Sequence, residues 1–392
     1  MSYLRDNLWE DAFKDSLFFP NGLLFAQGYA DLVEELHQKN DAGFHTTLTD
    51  PWGKLLSFQL FENGYDTITF SSVATLSNFT SFNVPYPIIT SLGVPTWEGV
   101  CLPPDAATTY EFSPFEFGSW DTEVAAFTPT QYLGTTLVAG QPTGNCIENY
   151  DNLGYILGTS SNLFNNLCSN APTPSNTSDT AANVLASYLD AIHEVTTEDE
   201  YALYKNPFYE LTASAGVSAQ DTLHLVDGGE AMQNNPIFPF LQPARNISVI
   251  LVNDNSADNS VNFPNGSEIL QTYQQAQSRG YTRMPYIPPV STFVSEGLNK
   301  RATFFGCDDD SVATIVYLPN VNYTYASNTP TSKLEYSKSE TDGVIANGVH
   351  IASQDGDANW GTCLGCAIMK KTGQALPSDC TACFTKYCYC QS

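Results

Sequence analysis

An acid at the end of an apolar strand, followed at once by two glycines, is the sharpest chemical signal in this 392-residue chain. Residues 222–226, TLHLV, read as a strand and run directly into Asp227, Gly228 and Gly229. A carboxylate placed there, with glycines that allow tight turning and close backbone approach, can be aimed into a cleft. It can then orient and deprotonate a serine hydroxyl set opposite it. The same three residues are also the ordinary chemistry of a turn after a strand.

Such a base needs a nucleophile. Its usual carrier is Gly-x-Ser-x-Gly on a strand-to-helix turn, which exposes the hydroxyl beside backbone donors. The nearest approaches are Gly158-Thr159-Ser160-Ser161-Asn162 and Gly216-Val217-Ser218-Ala219-Gln220, and neither has the second glycine. Gly118-Ser119-Trp120 lacks the preceding Gly-x pair. Histidine supplies no triad either. His37 and His193 fall on helix patterns, His45 in a polar loop, His224 on the strand before Asp227, and His350 late in the chain. No histidine pair has metal-ligand spacing and no phosphate-cradling glycine loop is present, so no cofactor is expected.

Ten cysteines offer a second chemistry. Cys363 and Cys366, then thirteen residues, then Cys380 and Cys383 come close to a zinc-ribbon spacing. Cys388 and Cys390 follow directly, which makes an even six in the tail. The rest of the chain reads as exported, where thiols oxidise, so disulfides are favoured over zinc. Connectivity is open, and Cys101, Cys146, Cys168 and Cys307 could add two more bridges.

The elements that must position Asp227 are partly legible. Residues 22–38 read as a helix, 50–150 as short strands and loops rich in aromatics, 180–195 as a helix, and 207–219 as a short helix and its exit loop. Residues 247–252, ISVILV, form a continuous apolar run of the buried-strand type, and Ser267–Ser278 reads as a helix stopped by Gly280. Strand, crossover, strand and helix in that order imply an α/β fold: a central mixed sheet flanked by helices, with some parallel pairing. Residues 1–355 read as one domain, with a cysteine-rich tail at 356–392.

Composition narrows the class. Fifteen Lys and Arg against 42 Asp and Glu give a net charge of −27, which excludes nucleic acid as a partner and suits a soluble, extracellular protein. Five glycosylation sequons, at Asn78, Asn176, Asn246, Asn265 and Asn322, point the same way. The expected location is therefore secreted or at the cell surface. The opening MSYLRDNLWEDAFKDSLFF has no basic start followed by an apolar core, so it is no signal peptide. Export features without an export signal lead to the expectation that the true beginning is missing, through an alternative gene start, a fragment or processing. No run reaches the roughly 18 apolar residues of a membrane span, so lipid contact would be peripheral.

Longer motifs carry a resemblance. DPWGKLLSFQLF at 50–61, SPFEFGSWD at 113–121, AFTPTQYLGT at 126–135 and YDNLGYILGTSSNLFNN at 150–166 are similar to the fungal phospholipase B, or lysophospholipase, family. So are LVDGGEAMQNNPIFPFLQP at 225–243, NDNSAD at 253–258, NFPNGSEIL at 262–270, TFFGCDD at 303–309 and the cysteine tail. That family resembles the cytosolic phospholipase A and patatin group. The resemblance implies a Ser-Asp dyad without histidine on an α/β sheet, acting on fatty-acyl esters of phospholipids or lysophospholipids. It makes Asp227 the dyad base, with Gly228 and Gly229 as the active-site turn. It also implies a nucleophile in a Gly-Leu-Ser-Gly-Gly-Ser-type motif and an assisting arginine, both upstream of everything present here. This chain, taken alone, is then expected to be inactive. A non-catalytic, lipid-binding remnant of the family and a zinc-dependent interaction module are the competing readings.

Overall fold

The structure is a computed structural model describing residues 9, 12, 14, 34–61, 67–94, 102–167, 200–331, 333 and 335–390. Two compact units divide at Ala231 and Met232, and each is described by itself.

The first unit is built on a six-stranded sheet in the order β4-β3-β2-β1-β8-β7. Its strands are β1 (Ile89–Val94), β2 (Thr108–Phe112), β3 (Glu116–Ser119), β4 (Ala126–Pro129), β7 (Ala202–Lys205) and β8 (Thr222–Asp227), all antiparallel. A small hairpin, β5 (Leu137–Val138) and β6 (Gln141–Pro142), lies apart from it. Short strands and loops between 67 and 150 match the sequence reading. Residues 34–41 are helical, as expected for the end of 22–38, whose earlier part lies outside the described residues. The segment 180–195 lies wholly outside them.

One face of the sheet carries Tyr110, Phe112, Phe117, Tyr204, Leu223 and Leu225, all buried in one apolar cluster. Rings of this size bury some 150–250 Å² each and dominate the core's energetics. Against this unit pack two helices, α1 (Thr49–Leu60) and α2 (Leu153–Ser160). The helix α1 corrects the expectation of strands and loops from Asp50 onward. Pro51 sits in the first turn, where its missing N–H costs nothing. Asp50 Oδ2 accepts the Thr47 amide at 2.8 Å. Gly53 serves packing, since a Cβ on it would meet Gly154 O of α2 at 2.6 Å. Residues 207–219, read as a short helix and its exit loop, form turns with a single 3-10 turn at Thr212–Ser214 and no α-helix. Asn206 holds them by donating from Nδ2 to Val217 O at 2.8 Å and to Gln220 O at 2.7 Å.

The second unit has a three-stranded sheet in the order β10-β11-β9. Strands β9 (Val249–Asp254) and β11 (Thr314–Pro319) are parallel, while β10 (Thr303–Phe305) pairs antiparallel with β11. The expected parallel pairing is therefore present, but the partner of β9 is β11. The expected buried run at 247–252 is corrected as well. Burial alternates along β9 and Leu251 is 51% exposed, because β9 is an edge strand covered on one face. Helix α3 (Ser267–Ser278) is stopped by Gly280 at φ +73°, as its sequence indicates. Helix α4 (Lys338–Ser353) opens with a capping box, in which Ser337 and Glu340 each satisfy the other's amide.

The tail forms α5 (Trp360–Lys370) and α6 (Cys380–Tyr387), joined by Cys363–Cys383 and Cys366–Cys380. Two cysteines three apart on one helix face meet two on the next, so the zinc-like spacing is a disulfide ladder. The third described bridge corrects the grouping of the tail cysteines as a closed six. It joins Cys307, just beyond β10, to Cys388. Cys146 and Cys390 are free and exposed, against the expectation that they could pair. Cys101 and Cys168 lie outside the described residues. No described helix is long and apolar enough to cross a membrane.

Candidate active site

Asp227 is the last residue of β8, and a 3-10 turn from Gly228 to Ala231 follows it at once. Its Oδ1 accepts the Gly229 amide at 2.6 Å, so the turn's own backbone grips the carboxylate. Its amide donates to Asn162 O at 3.1 Å, just past the end of α2. Gly228 is required by space: a Cβ would stand 2.9 Å from Thr90 Oγ1 and 3.1 Å from Thr90 O on β1. Gly228 therefore has a physical reason beyond a free turn, and Gly229 contributes its backbone amide.

Burial lifts the Asp227 carboxyl to about 6, against only the Gly229 amide pulling it down. Among the described residues no cation offsets the desolvation. Residues 89–94 of β1 and 153–165 around α2 contain no Asp, Glu, Lys, Arg or His. Glu230, three residues on, is turned to Asn165, whose Nδ2 donates to Oε2 at 2.6 Å. The result is a carboxylate with a proton affinity close to neutrality, which is what a general base requires.

Asn162 is the support that sequence reasoning missed. It is fully buried and uses every arm. Nδ2 donates to Thr49 Oγ1 at 2.9 Å and to Glu200 O at 3.0 Å, Oδ1 takes the Phe164 amide, and its carbonyl takes Asp227. It stands in the very GTSSN segment whose serines do not make an elbow, so a sequence signal was present for another residue of that run.

Ser160, the serine of the first elbow candidate, is half-buried at the last position of α2. Ser161 Oγ accepts Trp52 Nε1 at 2.9 Å and donates to Leu157 O at 2.8 Å, at the end of a helix and not after a strand. Ser119 is fully buried in β3 and donates to Thr109 O at 2.7 Å. Ser218 lies in the turns after Thr212–Ser214. Among the histidines, His224 alternates to the sheet face opposite Asp227, edge-on to Tyr201, and burial lowers it to about 4. His350 meets Asp355 at 2.8 Å in the second unit, His37 and His45 are exposed, and His193 lies outside the described residues. A cavity lined by Phe44, Tyr150, Lys205, Tyr209 and Thr222 opens at the opposite end of β8 and is distinct from the Asp227 site.

In the second unit the NDNSAD and NFPNGSEIL motifs resolve into one buried network. Asp254 takes the Tyr317 hydroxyl at 2.6 Å and the Ser256 amide and hydroxyl, while Glu268 takes the amide and Nδ2 of Asn234, both at 2.9 Å. These acids are paired, and their part is to hold the loops at 232–236 and 254–258. Of the sequon asparagines, Asn78, Asn246 and Asn322 are exposed, and Asn265 is half-buried with Oδ1 on the Ser267 amide at α3. Asn176 lies outside the described residues.

Comparison with known proteins follows the same lines. The lysophospholipase catalytic domain family matches residues 3–392. Lysophospholipase 3 of Aspergillus fumigatus is 39% identical over 387 residues, covering 93% of this chain and 61% of its own length. Lysophospholipase 1 of the same species is 37% identical over 415 residues, covering 99% of this chain and 64% of its own. The chain thus spans about six-tenths of the relatives it matches. Among solved structures, the fold is similar to human GIVD cytosolic phospholipase A2, with a TM-score of 0.68 at 16% identity over 93% of this chain and 54% of that one. Fold, motifs and sequence agree, and the chain belongs to the lysophospholipase catalytic domain family.

Proposed function

We propose that this chain provides the base of a Ser-Asp dyad that hydrolyses fatty-acyl esters of lysophospholipids or phospholipids. Asp227 takes the proton of the attacking serine, the serine takes the acyl group as the substrate's acyl C–O bond breaks, the departing alcohol receives that proton, and water then cleaves the acyl-serine to release the fatty acid and restore the hydroxyl. The observation that carries this reading is the Asp227 carboxylate itself: gripped by Gly229, surrounded by uncharged elements, and lifted to about 6. A base of that affinity accepts a proton at neutral pH and returns it without a large penalty. No Gly-x-Ser-x-Gly occurs in the 392 residues, Ser119 and Ser161 are spent on framework bonds, and on this reading the nucleophile is supplied by residues outside this sequence.

Peripheral contact with a lipid surface fits the same reading. Phe79, Tyr86 and Phe115 form an outward ring cluster with centroids 6.0–6.1 Å apart, beside Phe82 at 94% exposure. Residues 67–97 carry no Asp, Glu, Lys or Arg in a chain of net charge −27. Secretion or surface display, with glycans on the exposed sequons, is supported by the disulfide ladder, which persists in oxidising compartments.

The test is fatty-acid release from lysophosphatidylcholine. The purified chain is expected to release none above buffer. Joined to the portion of Lysophospholipase 3 that it does not span, it is expected to gain activity that Asp227→Asn removes by at least about 10²-fold. Enzyme-like release by the chain alone, or activity in the joined protein indifferent to Asp227→Asn, would overturn the assignment.

A further inference from the structure

Ser91 lies in the middle of β1, is fully buried, and its hydroxyl has no hydrogen-bond partner among the described residues. A buried polar group left in that condition costs about 1–3 kcal/mol. Directly opposite it in the sheet register stands Asp227. Residues opposed in an antiparallel pair project to the same face. The Asp227 amide points away from β1, toward Asn162 O. Within a strand, one residue's N–H and C=O point to the same edge. The Ser91–Asp227 pair is therefore of the non-hydrogen-bonded kind, in which Cα atoms approach to about 4.5 Å and side chains come closest. A serine rotamer change is then enough to bring Oγ within reach of the carboxylate.

The carboxylate has a use for it. Gly229 N–H is its one hydrogen-bond donor among the described residues. Neither β1 nor the 153–165 segment presents a charge, His224 is on the other face, and Glu230 is engaged by Asn165. An ionised carboxylate with a single amide donor is under-solvated, and a second donor from a neutral hydroxyl relieves that without adding charge.

We propose that Ser91 is a positioning residue for Asp227, its hydroxyl turning to donate to the carboxylate in the ionised state and fixing the oxygen that receives the proton. This rests on the reading of Asp227 as the base. Ser91 itself is closed to substrate by its complete burial, so it is not the attacking hydroxyl.

The experiment is a carbon-13 titration of the aspartate carboxyls in the intact chain, with the Asp227 signal assigned by its loss in Asp227→Asn. Ser91→Ala is expected to raise the Asp227 midpoint by about one pH unit, and Ser91→Thr to leave it within about 0.3 of the parent, because only the first removes the donor. Should Ser91→Ala not fold, Ser91→Cys keeps the volume with a weaker donor and is expected to raise the midpoint in the same direction. A midpoint unmoved in whichever of these two variants folds overturns the proposal. The parent value separates the two levels. A parent midpoint in the ordinary aspartate range sinks the base reading, whereas an elevated parent value with no response to Ser91→Ala sinks only the role of Ser91.

Discussion

The backbone carbonyl of Asn162 holds the amide of Asp227 at 3.1 Å, and the Asn162 side chain is tied to both α1 and the start of the β7 segment. One buried amide thus sets the position of the proposed base through a peptide group, leaving the carboxylate free to react. Removing the side chain strands Thr49 Oγ1, Glu200 O and the Phe164 amide together. Asn162→Ala is expected to cost about 2–3 kcal/mol in urea unfolding, and to move the Asp227 carboxyl signal in the fold that remains. A loss under about 0.5 kcal/mol would remove Asn162 from that role.

Asp227 should make stability depend on pH with a definite sign. Its folded-state carboxyl is raised to about 6, above the unfolded value near 3.9, so the folded chain holds the extra proton between those limits. Stability from this group is full below pH 4 and is lost as pH rises through 6. Asp227→Asn, which cannot ionise, is expected to gain about 2–3 kcal/mol relative to the parent between pH 4 and 7, read from parallel denaturant curves. A difference independent of pH would contradict the elevated carboxyl.

The seam between α1 and α2 depends on the absence of side chains. A Cβ on Gly154 would stand 2.7 Å from Gly53 O, and one on Gly158 would stand 2.8 Å from Gly53 Cα. Helix propensity alone favours alanine by about 1 kcal/mol. Backbone atoms cannot give way as side chains can, so the clash wins. Gly154→Ala is expected to lower stability by about 1–3 kcal/mol and the melting temperature accordingly. A stabilised variant would show that the helices separate at little cost.

Alkylation without reduction should distinguish the cysteines. Cys146 and Cys390 are expected to react, and Cys307, Cys363, Cys366, Cys380, Cys383 and Cys388 to resist until reduced. Burial and the nearby Asp308 push the Cys390 thiol up, so its labelling should need a higher pH than an ordinary exposed thiol. Peptide mapping checks the pairs 307–388, 363–383 and 366–380 directly, and a zinc-dependent protection of the tail would contradict them.

The elements that local chemistry determines were legible in the sequence. Ser267–Ser278 is amphipathic and ends at a glycine that alone takes φ +73° at no cost, and TLHLV-Asp227 is a strand closed by its turn. The candidate base proposed here was legible as Asp227, Gly228 and Gly229, because the acid and its turn lie in one short run. What was not legible depends on remote partners. Residues from 50 onward read as strands and loops, yet Pro51 sits in a tolerated first turn of α1 and Gly53 is set by α2, about a hundred residues away. The run at 247–252 looked buried on both faces, but its edge position follows from pairing with Thr314–Pro319. The tail cysteines seemed a closed set until Cys307 took Cys388. Ser91 carried no signal at all, since only the register of β1 on β8 brings it opposite Asp227.

That Asp227 is a base poised near neutrality is tested most directly by its own carboxyl titration in the unaltered chain. A midpoint of about 6 is expected. A midpoint at or below about 4, the value of an exposed aspartate, would contradict it and leave the acid as a turn residue after a strand.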